Sequence, residues 1–124
     1  QHPIPIWFGG HAEPQVMRAA RLADGWMPNY RTVADARPAI DPLDKTLGQP
    51  GRAWNQFGIE ARIAYGDGKP EPWQTLMRDW QAAGARYFTV NTMGSGFKTP
   101  AEHIGAIETF AQAMGLRPAE SRSL

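Results

Sequence analysis

The chain alternates four times between a short β-like run and a helix-like run. The β-like runs span residues 4–8, 26–28, 58–65 and 86–92. No tight hairpin turn joins any two of them, so the pattern predicts parallel strands connected by right-handed crossover helices. Four such units form either a small open α/β sheet or half of a (β/α)₈ barrel. In either case we predict that each strand lies next to its sequence neighbour.

The third β-like run helps to decide between these architectures. Ile59, Ala61 and Ile63 alternate with Glu60 and Arg62, so the two charged residues share one face of the strand. An open doubly wound sheet would cover both faces with apolar helices, whereas a barrel interior tolerates paired charges. An edge strand that faces water would show the same alternation. We favour half of a (β/α)₈ TIM barrel, with four parallel βα units and helices on one face only.

The second helix-like run is the least regular of the four. Thr32, followed by Asp35 three residues later, predicts a helix start, because a hydroxyl and a carboxylate can cap free amides there. Five residues that disfavour helix follow: Pro38, Pro42, Gly48, Pro50 and Gly51. Since proline removes a helical hydrogen bond, we expect a short helix and then a loop or a further helical turn up to Phe57.

The other three helix-like runs show apolar stripes at helical spacing, which predicts that one face of each is buried. In the first, Pro14 opens the helix and Gly25 stops it. The stripe of the third consists of Trp73, Leu76, Met77 and Trp80. The last begins with a capping box from Thr99 to Glu102. Its predicted buried stripe consists of Ile104, Ile107, Phe110, Ala111 and Met114.

Length and composition are those of a single globular domain, and we treat residues 1–124 as one domain. A formal net charge of +1 without a basic stripe argues against a nucleic-acid partner. No apolar run approaches the roughly 20 residues that a membrane-spanning helix needs, so no membrane partner is expected. The absence of cysteine excludes disulfides and thiolate metal sites. We predict a cytoplasmic protein without a metal site.

The two ends of the sequence carry separate expectations. The chain begins at Gln1, and an apolar segment starts three residues later. This start predicts an excised or processed piece, that is, a fragment of a longer protein. Residues 116–124, which include Pro118 and two serines, are expected to form a frayed tail.

Two glycines follow the first strand, at the end where folds of this kind carry their binding loops. Gly9 and Gly10 precede a helix, so free amides and the positive helix end predict a phosphate site there. A plain tight turn is the alternative interpretation of the glycine pair. His11 is a candidate proton donor or phosphate contact, and a solvent-facing loop residue is its alternative.

Polar residues also follow the second and fourth strands. Asn29 and Arg31 leave the neighbouring strand end, where Arg31 can add positive charge beside the same anion. A solvated loop arginine is the alternative for Arg31. Asn91 ends the fourth strand inside the predicted barrel mouth, where polar side chains orient a ligand. The predicted binding residues are therefore Gly9, Gly10, His11, Asn29, Arg31 and Asn91, and no catalytic residue is assigned.

Three segments together resemble the luciferase-like monooxygenase family. They are Pro5-Ile6-Trp7-Phe8-Gly9-Gly10, residues 18–28, and residues 89–94 with 99–104. The resemblance covers nearly the whole chain and matches the C-terminal half of the family's barrel, strands five to eight. In that family the coenzyme phosphate is held near the glycine pair after strand five and near the end of strand six. The corresponding positions here are Gly9, Gly10 and Asn29.

The resemblance implies an oxidoreductase that uses FMN or a deazaflavin coenzyme (F-420 type). FMN members insert one oxygen atom into a small organic substrate, whereas deazaflavin members transfer hydride. We favour the deazaflavin side on the character of the final motif. The family's flavin-ring pocket draws on the first four strands, so we expect a missing N-terminal half-barrel or a second copy (a homodimer) to complete it. A non-catalytic half-barrel scaffold, or a phosphate- or flavin-binding module that dimerises, is the alternative.

Overall fold

A computed structural model describes residues 3–51 and 53–117 of the chain. Strands and helices alternate as the repeat predicts. The elements are β1 (Trp7–Gly9), α1 (Glu13–Leu22), β2 (Gly25–Met27), α2 (Val33–Leu47), β3 (Gly58–Ala64), α3 (Pro70–Ala82), β4 (Tyr87–Asn91) and α4 (Pro100–Ala113), with a 3₁₀ turn at Trp54–Gln56 before β3. The four strands form a parallel sheet in the order β1-β2-β3-β4, which confirms the predicted topology.

One face of this sheet is packed against the helices. Trp26 of β2 and the Ile59, Ala61 and Ile63 side chains of β3 are buried in a single apolar cluster with residues from all four helices. Within the described residues, this core contains no fully buried polar or charged residue. Burial of apolar surface on this one face therefore holds the sheet and the helices together.

The opposite, inner face carries the charged residues of β3. Glu60 is half-buried and Arg62 is exposed there, and the Thr89 hydroxyl of β4 donates a hydrogen bond to the Glu60 carboxylate. Because β3 lies between β2 and β4, the alternative of an edge strand facing water is wrong. The arrangement is consistent with half of a (β/α)₈ barrel, and the numbering of the strands as five to eight stays a prediction.

The amino end of the inner face is closed by aromatic side chains. In the sheet, Gly25 of β2 lies between Trp7 of β1 and Gly58 of β3 and pairs with both. A Cβ on either glycine would overlap the Trp7 ring, so that ring lies flat over both. Tyr87 meets Trp7 edge-on at 5.1 Å between ring centroids. Gly25 was predicted as a helix stop, and this is wrong: α1 ends at Leu22, and Gly25 makes room for Trp7 within β2.

Helix α2 is longer than predicted. The Thr32 cap is confirmed, since its Oγ1 accepts a hydrogen bond from the Asp35 amide at 3.2 Å. The predicted short helix is wrong, because one helix continues to Leu47 with Pro38 and Pro42 inside it. The prolines are tolerated because five residues on one face of the helix are buried in the core: Ala36, Ala39, Ile40, Leu43 and Leu47.

Helix α4 begins as predicted, but only part of its predicted apolar stripe is buried. Its capping box is complete, with Thr99 Oγ1 accepting from the Glu102 amide and the Glu102 carboxylate accepting from the Thr99 amide. The predicted stripe is wrong at Ile104 and Ile107, which are 57% and 48% exposed. The predicted burial of Phe110 is confirmed, and Ala106, which was not predicted, is buried as well.

The contact between α4 and α3 explains which side of α4 is buried. Phe110 packs against Trp73 at 5.0 Å between ring centroids, and this contact sets which side of α4 faces the core. The frayed tail predicted for residues 116–124 lies for the most part outside the described residues. Leu116 and Arg117 follow α4 without helical structure.

Candidate functional site

A cleft of about 720 Å³ opens at the carboxyl ends of β2, β3 and β4. Its wall is formed by the loop after β2, the inner-face side chains that end β3, and the loop after β4. The polar residues in this wall are Asn29, Arg31, Thr32, Arg62, Asn91 and Ser95. Parallel α/β folds bind their ligands at this edge, so the position and the lining together mark the cleft as the candidate site.

The cleft brings together three of the six residues predicted from the sequence. Asn29 and Arg31 enter it from the loop after β2, and Asn91 enters from the last position of β4. The Asn91 Oδ1 accepts a hydrogen bond from the Met93 amide at 3.1 Å. This bond fixes the start of the loop after β4, so that Asn91 both faces the cleft and shapes its rim.

The other three predicted residues, Gly9, Gly10 and His11, form the loop after β1. They adjoin the cleft but are not part of its lining. Two hydrogen bonds tie this loop to β2 and the loop after it: Trp26 Nε1 donates to the Gly10 carbonyl at 2.8 Å, and the Tyr30 hydroxyl donates to the His11 carbonyl at 3.1 Å. Tyr30 also lines the cleft, so the two loops form one continuous rim.

In the loop after β1, the backbone at Gly9 is open to close approach by a ligand. This residue shares the inner face with Trp7, and a Cβ built on it would meet nothing within 4 Å. Gly10 differs, because its φ of +103° requires glycine and a Cβ there would overlap the Gln15 side chain. Helix α1 places Glu13 in its first turn and has no side-chain cap. A carboxylate at that position opposes the attraction of the helix end for an anion.

Positive charge in the cleft comes from two arginines on different elements. Arg31 was predicted, whereas Arg62 was interpreted only as an interior charge and was missed as a site residue. The signal that points to Arg62 is its position on the inner face near the carboxyl end of β3, two residues before Ala64. A strand residue at that height reaches the edge of the sheet where the cleft opens.

The loop after β4 is fixed by contacts with α4 and with Tyr65, the residue that follows β3. Thr92 Oγ1 and His103 Nδ1 lie 2.7 Å apart, and the Phe97 ring packs between His103 at 5.2 Å and Tyr65 at 5.6 Å. The amides of Lys98 and Thr99 donate to the Glu102 carboxylate at 2.7 Å each. These contacts anchor the cleft wall that contains Ser95.

Three ionisable groups in and near the loops after β3 and β4 have pKa values shifted by hydrogen bonds. The amides of Lys98 and Thr99 lower the pKa of Glu102, because they stabilise its charged form. In the loop after β3, Asp67 and Lys69 form an exposed ion pair at 2.7 Å. That pair lowers the pKa of Asp67 and raises the pKa of Lys69. The Asp67 carboxylate and the Lys69 ammonium group therefore neutralise each other.

Across residues 3–51 and 53–117, no three or more histidine or carboxylate side chains cluster in a way that could hold a metal ion. None of the helices described for this chain is long and apolar enough to cross a membrane.

Comparison with known proteins identifies the family of this chain. The solved structure of a coenzyme F420-dependent tetrahydromethanopterin reductase from Methanopyrus kandleri is similar, with 15% sequence identity and a TM-score of 0.43. The match covers 91% of this chain and 43% of the reductase, so the chain spans less than half of that protein's length. No curated protein matches the sequence significantly. The family model for luciferase-like monooxygenases matches residues 1–119, and the chain therefore belongs to the luciferase-like monooxygenase family.

Proposed function

We propose that this chain forms the coenzyme-phosphate side of a luciferase-like, flavin- or deazaflavin-dependent oxidoreductase that acts on a small organic substrate. One observation carries the proposal: the cleft at the carboxyl ends of β2, β3 and β4 gathers Asn29, Arg31 and Asn91. The loop of Gly9, Gly10 and His11 continues the same rim. Family membership supports an oxidoreductase-type domain.

The residues of the rim fit a phosphate-bearing coenzyme. Gly9 leaves the backbone open on the inner face, which allows a ligand to approach closely. Arg31 supplies a permanent positive charge, and a guanidinium donates to phosphate oxygens in pairs. Asn29 and Asn91 supply neutral amide donors, which orient the ligand without adding charge to the site. When bound, the coenzyme would supply the redox chemistry, and the chain would hold and orient it.

Of the two coenzyme classes, we favour a deazaflavin of the F-420 type over FMN, on the resemblance of the final motif, Thr89 to Ile104. A cytoplasmic location belongs to the same proposal and agrees with the absence of cysteine. No residue of the chain is assigned a catalytic role.

The proposal is tested by titrating the chain with FMN, riboflavin and the deazaflavin coenzyme, followed by visible absorbance and calorimetry. Gly9→Ala is the informative variant, because its methyl group meets no protein atom but enters the space that the ligand would occupy. We expect tighter binding of FMN than of riboflavin, and at least tenfold weaker FMN binding by Gly9→Ala.

A matched control is Gly105→Ala on α4, where an added Cβ also meets nothing within 4 Å but lies on a helix away from β1. It should leave binding unchanged. If no flavin, deazaflavin or phosphate binds the wild-type chain with better than millimolar affinity, the chain has no autonomous coenzyme site. The half-barrel scaffold would then be the better account of its function.

We also propose that an N-terminal half-barrel or a second copy of this chain covers the inner face. β1 and β4 are the outer strands of the sheet, and an unpaired strand edge favours pairing with another chain. On α4, which follows β4 in the chain, Ile104 and Ile107 are about half exposed. Sedimentation should therefore show self-association of the isolated chain. A monomer at high concentration that binds no hydrophobic dye would contradict this.

A further inference from the structure

Among the residues that the structure describes, neither arginine of the cleft is paired with a carboxylate. Arg31 and Arg62 are both exposed and line the same cleft, and no aspartate or glutamate belongs to its lining. Within the part of the chain that the structure describes, neither guanidinium makes a hydrogen bond or an ion pair. Two unpaired positive charges in one concave site raise the local potential and attract anions.

The carboxylates closest in sequence to these arginines are held by other groups. Glu60, two residues before Arg62, accepts the Thr89 hydroxyl. Asp35, four residues after Arg31, accepts the Thr32 hydroxyl at 2.7 Å. Asp67, in the loop that follows β3, is paired with Lys69. Local hydrogen bonds therefore fix the acidic groups in place, and the arginines stay available to a ligand.

The cleft also provides room and further donors around the arginines. Ala64, Gly66 and Gly94 contribute little side-chain volume to the wall. Ser95 lines the wall, and its Oγ is buried without a hydrogen-bond partner among the residues that the structure describes. A buried hydroxyl without a partner is costly unless a ligand or water satisfies it, so Ser95 offers an additional donor at this place.

We infer that Arg62 and Arg31 form an oxyanion-binding subsite, which takes a phosphate, sulfonate or carboxylate group carried by the coenzyme or by the substrate. A guanidinium presents paired N–H donors that match two oxygens of such a group. This assigns a binding role to Arg62, which neither the sequence patterns nor the family resemblance assigns. The subsite does not depend on the proposed coenzyme, since inorganic phosphate alone probes it.

The first experiment measures phosphate binding by calorimetry at low ionic strength. Arg62→Met keeps the aliphatic part of the side chain and removes the guanidinium. We expect at least tenfold weaker phosphate binding, a change of about 1.4 kcal/mol, with an unchanged melting temperature. Arg62→Lys keeps the charge without the paired donors and should bind with intermediate affinity. Arg18→Met removes the same charge from an exposed position on α1 and should alter binding less than twofold.

The second experiment identifies which molecule brings the oxyanion. If the coenzyme brings it, Arg62→Met weakens FMN binding by the same factor and leaves riboflavin binding unchanged. If the substrate brings it, FMN binding survives in Arg62→Met, while binding of methanesulfonate or propionate is lost. Either pattern supports the subsite.

Two results would overturn the inference. One is equal phosphate affinity of Arg62→Met and Arg18→Met. The other is wild-type protein that binds neither phosphate nor the organic anions below millimolar concentration. A failure of the coenzyme proposal is distinguishable from both, because phosphate binding that is sensitive to Arg62 would then persist without any flavin binding.

Discussion

The two faces of the sheet differ in polarity and in exposure to solvent. The helix-covered face is apolar throughout, and its β3 residues Ile59, Ala61 and Ile63 have no exposed surface. The inner face of the same strand carries Glu60 and Arg62, which are partly or fully accessible to solvent. Because neighbouring residues of one strand alternate between the faces, residues that pack the core alternate along β3 with residues that face the cleft side of the sheet. Stability should depend on one set of residues and ligand affinity on the other.

The largest expected effect tests this division on two adjacent residues. Ile63→Ala should lower the free energy of unfolding by about 2–5 kcal/mol, because it leaves a cavity in the packed face. Arg62→Ala, one position earlier, should change it by no more than about 0.5 kcal/mol, since the side chain is exposed. Urea denaturation monitored by circular dichroism measures both. A cost for Arg62→Ala that approaches the cost for Ile63→Ala would contradict the division of roles between the two faces of β3.

An intermediate effect is expected where the inner face is itself closely packed. Gly58→Ala would push a methyl group into the Trp7 ring and to 3.0 Å from Tyr87 Cε2. Overpacking of this kind costs about 1–3 kcal/mol. Gly9→Ala on the same face, at the open end, should cost much less, because nothing lies within 4 Å of its Cβ.

A double-mutant cycle can sharpen this result. In a Trp7→Ala background the obstacle is removed, so Gly58→Ala should become less costly than in the wild type. The same unfolding measurement on the four proteins of the cycle is sufficient. If the cost of Gly58→Ala is the same with and without the Trp7 ring, the aromatic floor of the inner face is not what the glycine accommodates.

The sequence was sufficient for the sheet because its signals are local and redundant. Four β-like runs without hairpin turns determine parallel order, and the alternation in residues 58–65 identifies which face is buried. The signals failed where two local rules conflict. In α2, Pro38 and Pro42 predicted a break, whereas the structure buries a stripe of five apolar residues from Ala36 to Leu47 on one continuous helix. Burial of the stripe outweighs the proline penalty, and that balance depends on tertiary contacts.

Helix α4 shows a second kind of limit. Two apolar stripes that both include Phe110 are available on it, the predicted one through Ile104 and Ile107 and another through Ala106. Periodicity alone cannot choose between them. The aromatic contact of Phe110 with Trp73 makes the choice, and that contact joins residues 37 positions apart in the sequence. In the same way, Gly25 could not be assigned to Trp7 until the pairing of β1 with β2 was known.

The candidate site was predictable in part for a related reason. Asn29, Arg31 and Asn91 follow directly from the rule that ligands bind at the carboxyl ends of parallel strands, and the cleft contains all three. Arg62 lies within a strand rather than after one, so its exposure on the inner face had to be seen in the packed sheet.

The smallest expected effect lies where the helical layer meets the cleft. Glu102, at the start of α4, accepts the amides of Lys98 and Thr99 and so anchors the loop that carries Ser95. These bonds lower the pKa of Glu102 from its ordinary value of 4.5. A carboxyl with a lower pKa in the folded state contributes stability that is present above pH 4.5. This contribution is lost as the pH falls through the folded-state pKa.

We therefore expect Glu102→Gln to melt at a slightly lower temperature than the wild type at pH 7, and the two melting temperatures to converge towards pH 3. Thermal unfolding followed by circular dichroism at pH 7, 5, 4 and 3 measures the difference. Glu108→Gln is the matched control, since Glu108 is exposed in the middle of the same helix and caps no amide. A difference between Glu102→Gln and the wild type that does not shrink below pH 4.5 would mean that the charge of Glu102 does not hold the loop. The wall of the cleft would then depend on the contacts of Thr92 and Phe97 with His103 instead.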